Sequence, residues 1–275
     1  MKYNAHADLL QPAAKIYWMA DNYAMQVTGV LSAELQKIWH DPIELFTRAV
    51  QPLLWLILFG EVMARVRGLS PGSLSYIDYL SAGILAQSVL FVAIFFGISA
   101  IWDRDLGILH RMLVSPAPRT AIVVGKALAA SFRGLIQGVI VYFVAGLLGA
   151  DIRFSAIHIV GVVVLISLGC GLFSTLSLII ACLVKTRERF MGIGQLITMP
   201  VFFASNAIYP ISLMPVWLRT VSSFNPLTYQ VDAMRSLMIK GVSPEFGLTF
   251  DFAILVAVTA ALIVLAGRLY PRMAV

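Results

Sequence analysis

Few residues in this sequence can do chemistry, and many of them crowd into residues 103 to 120, DRDLGILHRMLVSPAPRT, between long apolar stretches. Asp103 or Asp105 can cap a helix start, Leu106, Leu109 and Leu113 share one helical face, and Pro116 and Pro118 end the run. A charged loop that only fixed topology would need no such pattern. The chemistry this segment suits is recognition: a short amphipathic helix built to dock.

Motifs for bond-making are missing. No G-x-x-x-x-G-K-[ST] occurs, and Gly125-Lys126-Ala127 lacks the first glycine and the hydroxyl that a phosphate cradle needs, so the chain is expected not to bind ATP itself. Neither G-x-S-x-G nor H-E-x-x-H is present. His6, His40, His110 and His158 have no ligand-type spacing with each other or with the cysteines, so neither a metal nor a catalytic residue is expected. Cys170 and Cys182 fall on one predicted helix, about 18 Å apart along its axis and beyond disulfide reach, which makes them packing residues. A membrane-embedded transferase would need a polar catalytic cluster, and the other dense polar stretch, Lys185 to Arg189, holds charge but no nucleophile–base pair. A channel or secondary carrier stays open, although span interiors hold no acid except Glu61 near one end.

The elements that must position the docking segment are membrane helices. At 60% hydrophobic and 12% charged residues, the 275-residue chain lies far from the soluble average of about 25% charged. Six windows poor in charge read as spans: Ile43 to Ala64, Ile77 to Trp102, Ala121 to Ala150, Phe154 to Val184, a fifth starting near Phe190, and Phe252 to Gly267. Backbone groups in lipid need partners within their own segment, and no ten-residue barrel alternation exists, so the fold expected is an all-α integral membrane protein with six transmembrane helices. No room remains for a large soluble domain, so an energy source would lie on another chain.

Thirteen of the twenty Lys and Arg fall on one side when both termini are placed in the cytoplasm, and six fall on the other. The docking segment is then cytoplasmic. The net charge of +6 follows from this asymmetry and from anionic lipid, not from nucleic acid. The first forty residues hold no signal-peptide core. Within residues 22–40, Val27, Val30, Leu31, Leu35 and Ile38 recur at helical spacing ahead of His40-Asp41-Pro42, so an amphipathic helix is expected in the inner interface, its apolar face in lipid and Trp39 at the head groups. Packing on a partner subunit is the alternative.

Arg133 lies about 20 Å along the third span, too deep for easy escape to the head groups. It either lines a translocation route, with Gln137 one turn on, or bonds helix carbonyls as a structural cation. Gly134 and Gly138 form a small-xxx-small pair on the same helix. Between Pro200 and Asn225 the chain is almost uncharged yet broken by Pro210, Pro215 and Asn225-Pro226, so no straight span fits. Two short helices dipping into the outer leaflet do fit, provided protein or a cavity surrounds them.

Residues 103–116, D-R-D-L-G-I-L-H-R-M-L-V-S-P, resemble the cytoplasmic coupling segment of type-2 ATP-binding-cassette exporter permeases, E-R-x-x-G-T-L-E-R-L-L-V-S-P. Residues 206–235, from N-A-I-Y-P-I-S to F-N-P-L-T-Y-Q-V-D-A-M-R, resemble that family's segment before the last span. Asp103, Ile108 and His110 depart from the usual Glu, Thr and Glu. The resemblance covers nearly the whole chain and implies one permease domain, 1–275, with an interfacial helix at 22–40, a coupling helix at 103–116 and a re-entrant outer segment at 206–235. It implies a prokaryotic plasma (inner) membrane exporter half that pairs with a second permease subunit, the same or a different chain. ABC ATPase subunits would carry the ATP and Mg. Leu106, Leu109, His110, Arg111, Met112 and Leu113 are then the expected ATPase-coupling residues, and Arg133, Gln137, Asn206 and Tyr209 the expected substrate pathway. The likeness is closest to the daunorubicin-resistance and nodulation-factor export branches, which move amphipathic drugs or lipo-oligosaccharides.

Overall fold

A computed structural model describes residues 5–40, 42–63, 74–114, 117–184 and 186–271, with side chains described from Tyr23 onward and not at a few positions beyond it. Helix α1 (Ala5–His40) leads into α2 (Pro42–Leu54), a π-helical turn (Trp55–Phe59) and α3 (Gly60–Met63). Then come α4 (Tyr76–Asp105), α5 (Ile108–Val114), α6 (Arg119–Leu147) and α7 (Ala156–Leu183). The chain ends with α8 (Arg187–Phe203), α9 (Val216–Phe224), α10 (Pro226–Met238) and α11 (Leu248–Leu269). The protein is an all-α membrane protein, in which five stretches among the described residues are long and apolar enough to cross: Phe46–Met63, Tyr76–Asp105, Arg119–Leu147, Ala156–Leu183 and Leu248–Leu269.

The expected fifth span is shorter than a crossing helix. α8 has 17 residues, about 25 Å at helical rise against a hydrocarbon core of about 30 Å. It contains Pro200 and ends where residues 204–207 turn beneath α4, close enough that a Cβ on Gly83 would fall 2.1 Å from the Ala207 carbonyl oxygen. The carbonyls freed by this break are satisfied from other helices. Tyr79 Oη donates to the Asn206 oxygen at 2.8 Å, Arg235 Nη2 donates to the same oxygen at 2.8 Å, and Tyr76 Oη reaches the Ile208 oxygen at 3.2 Å. Helices may end at membrane depth only with such partners.

α4 is the central column, buried along most of its length and packed against α6, α7, α8 and α10. Small residues allow these approaches. Gly97 of α4 donates its N–H to Ser177 Oγ of α7 at 3.1 Å. The Gly134/Gly138 pair packs on α7, where a Cβ on Gly134 would lie 2.1 Å from the Cys170 sulfur and one on Gly138 2.6 Å from Ile166. Gly134→Ala is therefore expected to destabilise by about 1–3 kcal/mol through overpacking. Adding Cys170→Ala removes the obstructing sulfur, after which only ordinary contacts at 3.5 Å and beyond remain, and should restore most of the thermal midpoint measured in detergent.

α1 corrects an expectation. Its apolar face does not lie free for lipid: Val27 and Ile38 are buried, and Val30 crosses α6 so closely that a Cβ on Gly125 would sit 2.7 Å from it. The helix packs on its own chain because glycine at position 125 leaves room for it. Trp39 is exposed.

Candidate functional site

Gly107 decides how the docking segment is presented. Its φ of +72° lies in the left-handed region, which ends α4 and starts α5 on a new axis. The helical period therefore does not run through Leu106, and the expected shared face of Leu106, Leu109 and Leu113 is divided. Leu106 is 66% exposed and Val114 is 86% exposed, whereas Leu109 is wholly buried in a cluster with Ile101, Ile122 and Tyr270. Leu109 thus pins α5 to the bundle and cannot also enter a groove on another protein. Met112 packs, half-buried, against the same cluster. The side chains of His110, Arg111 and Leu113 lie outside the described residues.

Both acids before the turn are held by cations from other helices. Lys126 of α6 has no exposed surface, and its Nζ lies 2.6 Å from Glu34 Oε1 of α1 and 2.6 Å from Asp103 Oδ2 of α4. Lys37 adds contacts of 2.8 Å to Asp103 Oδ1 and 3.2 Å to Glu34 Oε1. Two lysines and two carboxylates thus clasp α1, α4 and α6 at the base of the docking segment. Burying charge is costly unless it is paired, and here the buried ammonium donates to two carboxylates at once. Asp105 takes the other direction: Arg187, at the start of α8, reaches it at 2.7 and 3.1 Å and stacks its guanidinium 3.7 Å from the Trp102 ring centroid. Residues 103–107 are thereby tied to α1 and α6 through one acid and to α8 through the other.

Sequence reasoning missed this clasp. Glu34 sits in the amphipathic stretch 22–40, Asp103 just past a span's expected end, and Lys126 near the start of the third span, with no local pattern that joins them. The available signal was that a lysine, a turn inside a span, needs a buried acid.

Arg133 lines a cavity of about 470 Å³ at the same end, together with Lys37, Arg48, Phe96, Trp102, Leu106 and one carboxylate, Asp103, which is already paired with Lys37. Its guanidinium carbon is 5.2 Å from the Phe96 ring centroid. A second cavity of about 310 Å³ continues along α2 and α4 and shares Arg48 and Phe95 with the first. The result is a trough with cationic and aromatic walls that begins beside the exposed Leu106. Gln137 is buried one turn beyond Arg133, and neither of its side-chain polar atoms has a partner among the described residues. Asn206 and Tyr209 are elsewhere, at the break after α8, where Tyr209 Oη bonds the Phe203 oxygen. The four expected pathway residues do not share one cavity: Arg133 and Gln137 belong to α6, Asn206 and Tyr209 to the far end.

At that far end, two short helices replace a straight span, as the prolines require. Asn225 caps α10 by accepting the Leu227 N–H at 3.0 Å, and its Nδ2 holds the Val201 oxygen at 2.6 Å. α10 then runs outward along α7. A Cβ on Gly169, halfway along α7, would meet the Gln230 amide at 2.0 Å, one on Gly161 would meet Leu237 at 2.7 Å, and Ile239 bridges to Ile152 beyond the α7 start. α10 thus begins about 20 Å deep in the bundle and returns to its edge, the geometry of a re-entrant element.

The described residues thus form a helical bundle with five stretches able to cross a membrane, an exposed turn at one end and two short helices packed at the other. Residues 25–239 match the model of the ABC-2 type transporter family, and the chain belongs to that family. It is similar to the ycf38 transport permease of Cyanophora paradoxa, at 31% identity over 71% of this chain and 68% of that one. It is also similar to nodulation protein J of Rhizobium leguminosarum bv. viciae, at 26% over 83% and 84% of the two chains. A third relative is the daunorubicin resistance ABC transporter permease protein DrrB1 of Streptomyces coeruleorubidus, at 24% over 76% and 75%. The chain is therefore the transmembrane subunit of an ABC transporter, a permease rather than an enzyme, and a partner of ABC ATPase subunits; the transferase alternative is closed.

Proposed function

We propose that this permease is half of an ATP-driven exporter that takes an amphipathic substrate, a drug or a lipo-oligosaccharide, from the cytoplasm or inner leaflet and releases it outward. Both termini face the cytoplasm of a prokaryotic cell, the membrane is the plasma (inner) membrane, and the chain works as one permease domain paired with a second copy. Two ATPase subunits bind ATP and Mg and grip the coupling segment at Leu106 and Val114. The names of the nodulation and daunorubicin relatives support the substrate class. The observation that carries the reading is the placement of Leu106, exposed on a turn whose flanking acids are bound to three other helices.

ATP-driven closure of the ATPases would push the turn. Through Asp103 the push reaches α6 and Arg133, and through Asp105 it reaches α8, which leads to the re-entrant hairpin. The trough beside Arg133 is where an amphipath enters, its polar head against the cations and its apolar part against Phe95 and Phe96. Arg133→Gln is expected to lower export by about tenfold, the loss of one charge-assisted contact, while ATPase co-purification is unchanged and Arg133→Lys retains part of the activity. Export by Arg133→Gln at the unsubstituted rate would remove the trough from the pathway.

A further inference from the structure

On the membrane face of α6 and α7, at the end away from the coupling turn, lies a groove of about 510 Å³ that the export route does not use. Its walls are apolar except for the Tyr142 hydroxyl, and it runs along α6 from Leu135 to Leu147. That is about 18 Å of helix, close to the depth of one leaflet in a hydrocarbon core of about 30 Å. Gly146 keeps the groove open, since a Cβ there would touch only Ile152, at 3.7 Å. Val139, Phe143 and Phe154 are strongly exposed along it.

The upper lip of this apolar slot carries charge. Arg153 immediately precedes the groove residue Phe154, and His158 precedes the groove residue Ile159. Arg153 Nη1 donates to His158 Nε2 at 2.8 Å, so the imidazole, whose Nδ1 is buried, braces the guanidinium. The start of α7 has no side-chain cap at Ser155, so its positive dipole end faces the same lip. Two carboxylates are near in sequence or space, and both are engaged. Asp151 is paired with Lys240 at 2.6 Å, and Asp78 accepts the Asp151 N–H at 2.8 Å.

We infer that this groove binds one anionic phospholipid of the surrounding bilayer, an acyl chain lying between α6 and α7 and the phosphate held by Arg153, whose guanidinium His158 positions. A one-leaflet apolar slot with a guanidinium next to its end matches that molecule better than a purely apolar one. The site differs from the export trough, which opens at the opposite end of the bundle and shares α6 with the groove but no lining residue.

The test is native mass spectrometry of the full permease–ATPase complex in detergent, titrated with phosphatidylglycerol, with diacylglycerol of the same chains and inorganic phosphate as competitors. One phosphatidylglycerol per permease chain is expected, bound at least tenfold more tightly than diacylglycerol and not displaced by phosphate. Val139→Trp, which fills the groove from an exposed position, and Arg153→Gln are each expected to weaken it about tenfold or more. Unchanged binding by Val139→Trp, equal binding of diacylglycerol, or displacement by phosphate alone would each overturn the assignment. Gly146→Leu provides a second filling variant, and if either filling variant splits the permease pair, the groove is a subunit contact and not a lipid site.

Discussion

Lys126→Met is expected to destabilise the permease by about 3–5 kcal/mol, the cost of removing one partner from a buried ionic pair. In a domain of this size that is a fall of about 10 °C in the thermal midpoint in detergent. The reason is specific. Lys126 is the cation that Glu34 and Asp103 share at 2.6 Å, and Lys37, which is partly exposed, is left to serve both carboxylates. The neutral triple variant Glu34→Gln, Asp103→Asn, Lys126→Met should recover most of the lost midpoint, since burying neutral amides costs far less than burying carboxylates that have lost their cation. Export should not recover with it, because neutral amides join α1, α4 and α6 far less firmly than shared charge does. A Lys126→Met permease with the original midpoint would show that the clasp is not structural.

Leu106→Asp has the second large effect, and it separates docking from folding. Leu106 is exposed and contributes nothing to the clusters that hold the bundle, so insertion and thermal midpoint should stay as they are. Placing a carboxylate at the centre of an apolar contact should weaken the ATPase association by about thirtyfold or more, enough to lose the subunit on purification. Leu109→Asp makes the contrast. Its side chain is wholly buried against Ile101, Ile122 and Tyr270, so that substitution damages the permease itself and reports nothing about docking. If Leu106→Asp co-purifies with ATPase as well as the unsubstituted chain, the coupling contact lies elsewhere.

Local signals were easy to read. The span expected from Ile77 to Trp102 is helical from Tyr76 to Asp105, and the expected break at Asn225-Pro226 is the cap of α10. Both follow from composition and proline chemistry within a few residues of the feature. Three other features were hidden for physical reasons. The face expected to join Leu106 to Leu109 requires one unbroken helix, but Gly107 adopts a left-handed conformation, and this moves Leu106 off the face of Leu109. The apolar face of α1 looked suited to lipid, because nothing in its own residues reveals that Gly125, nearly a hundred positions on, makes space for Val30. The clasp joins residues 34, 103 and 126, and no local periodicity records which distant charges meet. Candidate pathway residues were found by type, yet their division between two ends of the bundle needed the fold.

The central claim is that this chain receives work from a separate ATPase through residues 103–107. The most direct measurement reconstitutes the purified permease with its ATPase in vesicles and follows ATP hydrolysis and substrate movement together, with and without Leu106→Asp. The account predicts transport only with both subunits and ATP, stimulation of hydrolysis by substrate, and loss of both in Leu106→Asp while the membrane subunit stays folded. Transport by the permease alone, in vesicles without ATP, would contradict it.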